Sequence, residues 1–453
     1  MPTARATLLR RLAALAGVVA LSATTVGTVV AADPVVLKPR DGGDAWDKGL
    51  AATNRQVIVT FRDGTSAASR ARVAAGAGLT DAQDLHSDGA AAYRSPGSVA
   101  SLRRTLLATG AVESVSVDRR LYRFDDPTGE PLWSDLWGLH STGQLVNGLP
   151  GSPNIDIDGL QAEAITGGDP AVVVAVIDDG VDFSHPDLAA QAWTNPGESG
   201  GGRETNGLDD DGNGYIDDVH GWDFCNNDNT VHDFGHDSHG THVAGTIAAS
   251  LDGQGVVGVA PKVRIMALKF LDDDPLMGCG LTSMAVEAIA YARSFGVVVL
   301  NASWGGYGPL AEFQPLYDAI RDSGILFVAA AGNEAVDNDN DPFPAYPASF
   351  DLPNIVSVAA ADRRGRLAAF SNYGHRTVDI AAPGVDILSA LPADPVFPSA
   401  GWGYLNGTSM AAPHVTGVAA LIASQDPSLR TSAGVPALRA PAVGEQGAAP
   451  DGG

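Results

Sequence analysis

From Ala164 onward the chain alternates two hydrophobic patterns. Residues 172–177, 263–268, 297–301, 325–330 and 355–360 form apolar runs, the signature of strands covered on both faces. Between them, residues 239–251, 282–294 and 316–322 repeat apolar side chains at helical spacing. This alternation predicts an α/β fold, a doubly wound parallel sheet with helices on both faces. Such a sheet gathers its functional groups at the carboxyl ends of its strands.

The amino-terminal part reads differently. Arg5, Arg10 and Arg11 precede an apolar stretch from Leu12 to Leu21 and a small-residue tail ending at Ala32. Basic, then apolar, then small is the layout of an export signal, assigned to residues 1–32. Its core is too short to span a bilayer, a retained amino-terminal anchor being the alternative. Residues 33–125 hold a linker and then a small α+β module. Its strands are expected at 56–61 and 111–118, the second with period-two alternation, and its helices at 66–77 and 98–107. The α/β domain is expected over 126–428. Residues 429–453 are rich in Ala, Gly and Pro without periodicity, which predicts a disordered or truncated tail.

Composition narrows the partners. Asp and Glu total 53 against 28 Lys and Arg, for a formal net charge of −25. A chain this acidic repels nucleic acid and anionic membrane and attracts cations. A monomer is expected, without nucleic acid and without membrane once the signal is removed.

Three motifs bring the chemistry. The run 172–177 ends in Asp178-Asp179-Gly180, so an acid stands at the end of a buried strand. His239 lies at the entrance of a small-residue helix, in Ser238-His239-Gly240-Thr241-His242. Ser409 lies in Gly407-Thr408-Ser409-Met410-Ala411-Ala412-Pro413, before the apolar run 415–422, with Pro413 placed in the first helical turn. A serine there is ordinarily an N-cap. Beside free amide donors and the positive end of a helix dipole it is also well placed as a nucleophile.

Acid, histidine and serine in this order resemble the subtilisin-like serine proteases, the subtilases. Residues 174–180 with His185-Pro186-Asp187-Leu188, residues 239–245 and residues 407–413 carry the resemblance, over roughly 130–425. A fourth segment, Ala329-Ala330-Ala331-Gly332-Asn333-Glu334, looks like the family's oxyanion segment. The resemblance implies a secreted endopeptidase of broad specificity acting through an acyl-enzyme. Ser409 would be the nucleophile, His239 the base, Asp178 its orienting acid and Asn333 an oxyanion donor. It also implies that the module before residue 126 is a propeptide that folds and inhibits its own enzyme, an accessory domain being the plainer reading. His242 and His414 read as structural. An α/β-hydrolase esterase lacks support, because no Gly-x-Ser-x-Gly surrounds Ser409.

Further residues follow from the same resemblance. Ser303, Trp304 and Gly305 match the strand that pairs with protein or peptide substrates, and Gly278 and Gly280 match the opposite rim. Ala345 falls near the floor of the P1 pocket, where a small residue leaves room for a large apolar side chain. Trp304 also reads as core packing. Asp179 departs from the secreted pattern and resembles the kexin and furin branch, where a second acid helps select a basic residue. The plainer reading is an exposed acid on the cleft rim.

Asp209, Asp211, Asn213, the Tyr215 carbonyl and Asp217 occupy alternate positions of an acidic loop with Gly214 at the sixth, and Asp218 follows. This pattern predicts structural calcium, although His220 stands where an EF-hand has Glu. Two cysteines, Cys225 and Cys279, predict one disulfide in an exported protein, with two free thiols the alternative.

Overall fold

A computed structural model of the chain describes residues 56–84, 89–96, 99–117, 127–233, 237–272, 278–392, 401–431, 434–435 and 438–439. The expected export signal, the linker and the junction between the two domains lie outside the described residues. The chain forms two compact units, one spanning Ala23–Arg123 and the other containing Phe124–Gly453.

In the smaller unit, β1 (Gln56–Phe61), α1 (Ala67–Gly76), β2 (Thr80–Asp84), β3 (Ala90–Arg94), α2 (Val99–Leu107) and β4 (Val112–Val117) follow one another. The strands form one antiparallel sheet in the order β2-β3-β1-β4, two βα halves folded together. Val57, Val59, Phe61, Leu102, Leu106, Val112 and Val115 make its core. The expected period-two alternation in β4 fails at one place. Phe61 faces Val112 while Thr60 faces Ser114, so an irregularity there lets Val112 and Val115 share the buried side. Strands β2 and β3 are short and rich in Ala and polar residues, which hid them from a hydrophobic pattern.

In the larger unit the sheet strands are β5 (Val173–Asp178), β6 (Gly221–Asp223), β7 (Arg264–Lys269), β8 (Val299–Ala302), β10 (Leu326–Ala330), β12 (Ile355–Ala361) and β13 (Ile380–Pro383). A short β9 (Gly306–Tyr307) pairs with β11 (Ala345–Tyr346) outside this sheet. The seven strands are parallel throughout, in the order β13-β12-β10-β8-β5-β7-β6. The longer helices are α3 (Ser238–Ala248), α4 (Thr282–Ser294), α5 (Gln314–Ser323) and α6 (Thr408–Gln425).

Strand β5 explains why the apolar run is continuous. Val174 and Val176 enter one core with Val243, Ile247 and Ala419 of α3 and α6. Ala175 and Ile177 enter the other with Ala285 and Ile289 of α4 and Ile320 of α5. A strand covered on both sides has no position for a polar residue until it leaves the sheet, and it leaves at Asp178.

Two expectations are corrected here. Pro413 is not in the first turn of α6 but inside the helix, whose first residue is Thr408. Proline cannot donate to the carbonyl four residues back, that of Ser409. The Ser303 hydroxyl donates to that carbonyl instead, at 2.8 Å. The tail expected to be disordered over 429–453 is ordered at its described residues, 429–431, 434–435 and 438–439, and residues 440–453 lie outside the described residues. Leu429, Val435 and Leu438 are buried in the larger core, and the Arg430 guanidinium meets Asp169 and the Ala423 carbonyl. Arg439 pairs with Asp379. Asp169 and Asp379 are 261 and 60 residues away in sequence from these arginines, so local composition could not reveal them.

Candidate active site

Asp178, the last residue of β5, is 1% exposed. His239, the second residue of α3, is placed so that its Nδ1 lies 2.7 Å from Asp178 Oδ1. The approach of strand end and helix is close. A Cβ on Gly240 would collide with the Gly180 carbonyl and come 2.9 Å from the Asp178 Cβ, so only glycine fits after His239.

Asp179 is neither exposed nor on a rim: it is 3% exposed and turned inward. Its Oδ2 accepts from the His239 N–H at 3.0 Å and its Oδ1 from the Gly240 N–H at 2.6 Å. It therefore caps α3 from the turn after β5. Asp237, the residue in the N-cap position, makes no side-chain cap bond. Burial, and then the neighbouring Asp178 charge, push the Asp179 carboxyl up to about 8. An acid spent on two backbone donors inside the protein is not available to a substrate, so selection of a basic residue by Asp179 is set aside.

Ser409 is the second residue of α6, and Gly407 is in the N-cap position, so the N-cap reading of the serine does not hold. Its hydroxyl donates to the Ser303 carbonyl at 3.1 Å. Asn333 follows β10, and its Oδ1 accepts from both the backbone N–H and the hydroxyl of Thr408, each at 2.9 Å. The amide is thus held by its oxygen, with its nitrogen directed elsewhere. A Cβ built on Gly407 would lie 3.4 Å from the Ser409 N and 3.7 Å from the Asn333 Nδ2. These two donors consequently flank a common point beside the serine.

The remaining expected residues divide between main chain and interior. Ser303 is buried, its hydroxyl tied to Asn301 Nδ2 and the Ser409 carbonyl. The Trp304 ring points into the body, with Nε1 donating to the Ile177 carbonyl at 2.8 Å and the ring in a T-shaped contact with Phe270. That is the packing role. Gly305 is exposed. Gly278 and Gly280 adopt φ of +72° and +76°, and the Gly280 N–H donates to the Phe270 carbonyl. Ala345 is buried in β11 opposite Tyr307. Cys225 and Cys279 pair as a disulfide. His242 and His414 are fully buried, and burial pushes them down to about 3 and about 4, which keeps both neutral.

At the acidic loop, among the described residues, Asp211 and Asp218 of the loop converge with Glu198 closely enough to hold one cation. Glu198 was absent from the sequence reading because it lies in a different segment. Its Oε2 is buried without a hydrogen-bond partner, an unfavourable state that a cation would relieve. Asp209 accepts from the Gly212, Asn213 and Gly214 N–H groups, and Asp217 from those of Asn206 and Gly207. Those two acids brace the loop. Asn213 donates to Asp218 at 2.9 Å, and the Tyr215 ring packs on Trp222 and Tyr291. Burial raises the Asp218 carboxyl above its ordinary value.

The subtilase family profile matches residues 169–440. Fervidolysin of Fervidobacterium pennivorans is 34% identical over 323 residues, 67% of this chain and 39% of that protein. A thermophilic serine proteinase of Bacillus sp. (strain AK1) is 37% identical over 262 residues, 58% of this chain and 54% of its own length. Subtilisin E of Bacillus subtilis (strain 168) is 36% identical over 290 residues, 64% of this chain and 65% of its own length. The chain thus spans less than two thirds of each of these relatives. The solved structure of fervidolysin aligns over 83% of this chain and 56% of that one, at 26% identity and a TM-score of 0.49. With well over half of its length matched by the family profile, the chain belongs to the subtilase family.

Proposed function

We propose that this protein is a secreted serine endopeptidase that hydrolyses peptide bonds through an Asp178–His239–Ser409 triad. The observation that carries the reading is the 2.7 Å contact of the Asp178 carboxylate with His239 Nδ1, on the sheet edge where Ser409 opens a helix. Asp178 fixes the imidazole tautomer with Nδ1 protonated, leaving Nε2 as the base. As attack on the peptide carbonyl begins, the Ser409 hydroxyl leaves its bond to Ser303 and passes its proton to Nε2. The imidazolium then protonates the leaving amine, and Asp178 stabilises the charge throughout. The Ser409 N–H and the Asn333 amide bind the oxyanion. Water repeats the sequence on the acyl-enzyme.

An extended substrate gains main-chain hydrogen bonds from the 303–305 and 278–280 segments, which makes recognition broad. The export assignment of residues 1–32 and the self-inhibitory propeptide role of residues 33–125 belong to the same proposal. In the described residues no helix is long and apolar enough to cross a membrane. Calcium held by Glu198, Asp211 and Asp218 would neutralise a packed acidic loop and contribute stability rather than chemistry. The donors present fit it, all being carboxylate oxygens.

The test is fluorophosphonate labelling read by intact mass. One adduct on Ser409, on a species lacking about the first 125 residues, supports triad and maturation together. Folded full-length protein without an adduct sinks the peptidase reading and leaves a binding protein on a subtilase scaffold.

A further inference from the structure

Lys269 ends β7, opposite Asp178 in the parallel ladder, and its side chain is fully buried. An ammonium has three donors, and here each has an acceptor. One is the Asp179 carbonyl at 2.7 Å, another Asp237 Oδ1 at 2.8 Å and the last the Leu271 carbonyl at 3.0 Å. Each acceptor belongs to a different part of the site. The Asp179 carbonyl is in the turn after Asp178. Asp237 immediately precedes the helix that presents His239. Leu271 leads toward the 278–280 segment, and the Phe270 and Leu271 N–H groups donate to the Asp178 carbonyl.

The surrounding charge is strongly one-sided. Asp223 faces the ammonium from β6; Asp233 and Asp237, with His232, come from the segment before α3, and Asp272 follows β7. Burial, the largest single influence, disfavours the charged lysine, but Asp237, Asp223 and Asp233 together outweigh it and hold the ammonium above its ordinary value. A buried cation bonded by all three donors is rigid, and removing it leaves buried acids uncompensated.

We propose that Lys269 is a positioning residue of the triad, locking the turn after Asp178 to the residue that opens the His239 helix. With Asp179, whose carboxyl group takes the His239 and Gly240 N–H groups, it makes the second of two clamps between strand and helix. The Lys269 clamp fixes the spacing in which Asp178 can hold His239 Nδ1. This rests on the triad reading above.

The experiment compares Lys269→Met, Asp237→Ala and the double variant with wild type, per site titrated by fluorophosphonate so that unfolded material is not counted. Each single variant breaks the same link, so each should lower kcat about 10- to 100-fold with KM within about twofold. The double variant should be no worse than the poorer single. The acid limb of kcat/KM, set by His239 in the free enzyme, should move to higher pH in K269M, because the buried positive charge behind the turn that follows Asp178 is gone. Asp237→Asn keeps an acceptor for the ammonium and should retain most of kcat. Wild-type kcat per titrated site with an unmoved acid limb in K269M overturns the proposal, even if its melting temperature falls. If K269M yields no titratable enzyme, equal kcat in Asp237→Ala and Asp237→Asn overturns it. Failure of the triad reading looks different, since wild-type Ser409 would then take no label.

Discussion

Replacing Asn333 by Ala removes two things that the structure keeps separate. The first is the Nδ2 donor, which with the Ser409 N–H flanks the oxyanion position. Loss of one such donor in a subtilisin lowers kcat by about 10² to 10³, or about 2.7–4 kcal/mol of barrier. The second is Oδ1, which accepts from the Thr408 backbone and hydroxyl at 2.9 Å each. Without it the first turn of α6 has an unmet N–H, a loss of about 1 kcal/mol of stability. In a domain of this size that lowers the melting temperature by about 2–4 °C. Thr408→Val separates the two effects, because it deletes one anchor of Oδ1 and leaves Nδ2 in the molecule. Its kcat should fall less than tenfold, since one 2.9 Å bond still orients the amide. The assay is kcat and KM on a peptide p-nitroanilide, normalised by active-site titration, with melting followed by calorimetry. Because the donor acts on charge that develops only in the transition state, KM should stay within a few-fold. A kcat for Asn333→Ala within threefold of wild type would refute the placement of the oxyanion.

Two further expectations concern stability. The folded Asp179 carboxyl is pushed up to about 8 from an ordinary value of 3.8, so the folded state binds more protons between those values. Stability should therefore fall as pH rises from 4 through 8, and Asp179→Asn should flatten that slope; an unchanged slope between pH 5 and 9 counts against a buried, proton-retaining acid. Removing calcium with a chelator should lower the melting temperature, since saturation at a hundredfold over Kd stabilises by about 2.7 kcal/mol. The response should vanish in Glu198→Gln, and a melting temperature indifferent to chelator in wild type removes the cation from the account.

Much of the architecture was legible because hydrophobic pattern is a local property. Residues 172–177 could not be read as anything but a strand covered twice, and the observed Val173–Asp178 differs by one residue at each end. The chain order of Asp178, His239 and Ser409, each beside a strand end or helix start, likewise needs no coordinates to be seen. What the sequence could not decide were contacts between segments far apart along the chain. Asp179 looked like an exposed rim acid because its partners, the His239 and Gly240 N–H groups, are 60 residues or more away. Glu198 joins Asp211 and Asp218 only after the chain has turned back on itself. The segment after Leu429 looked unstructured until Asp169 and Asp379 were brought up to its arginines. Lys269 lies just past the apolar run 263–268 and drew no expectation from the sequence, yet folding buries it completely among acids from several segments. Local pattern determines which residues must leave water. Which partner then satisfies a buried charge depends on distances through space, and these exist only once the sheet has set its strand order.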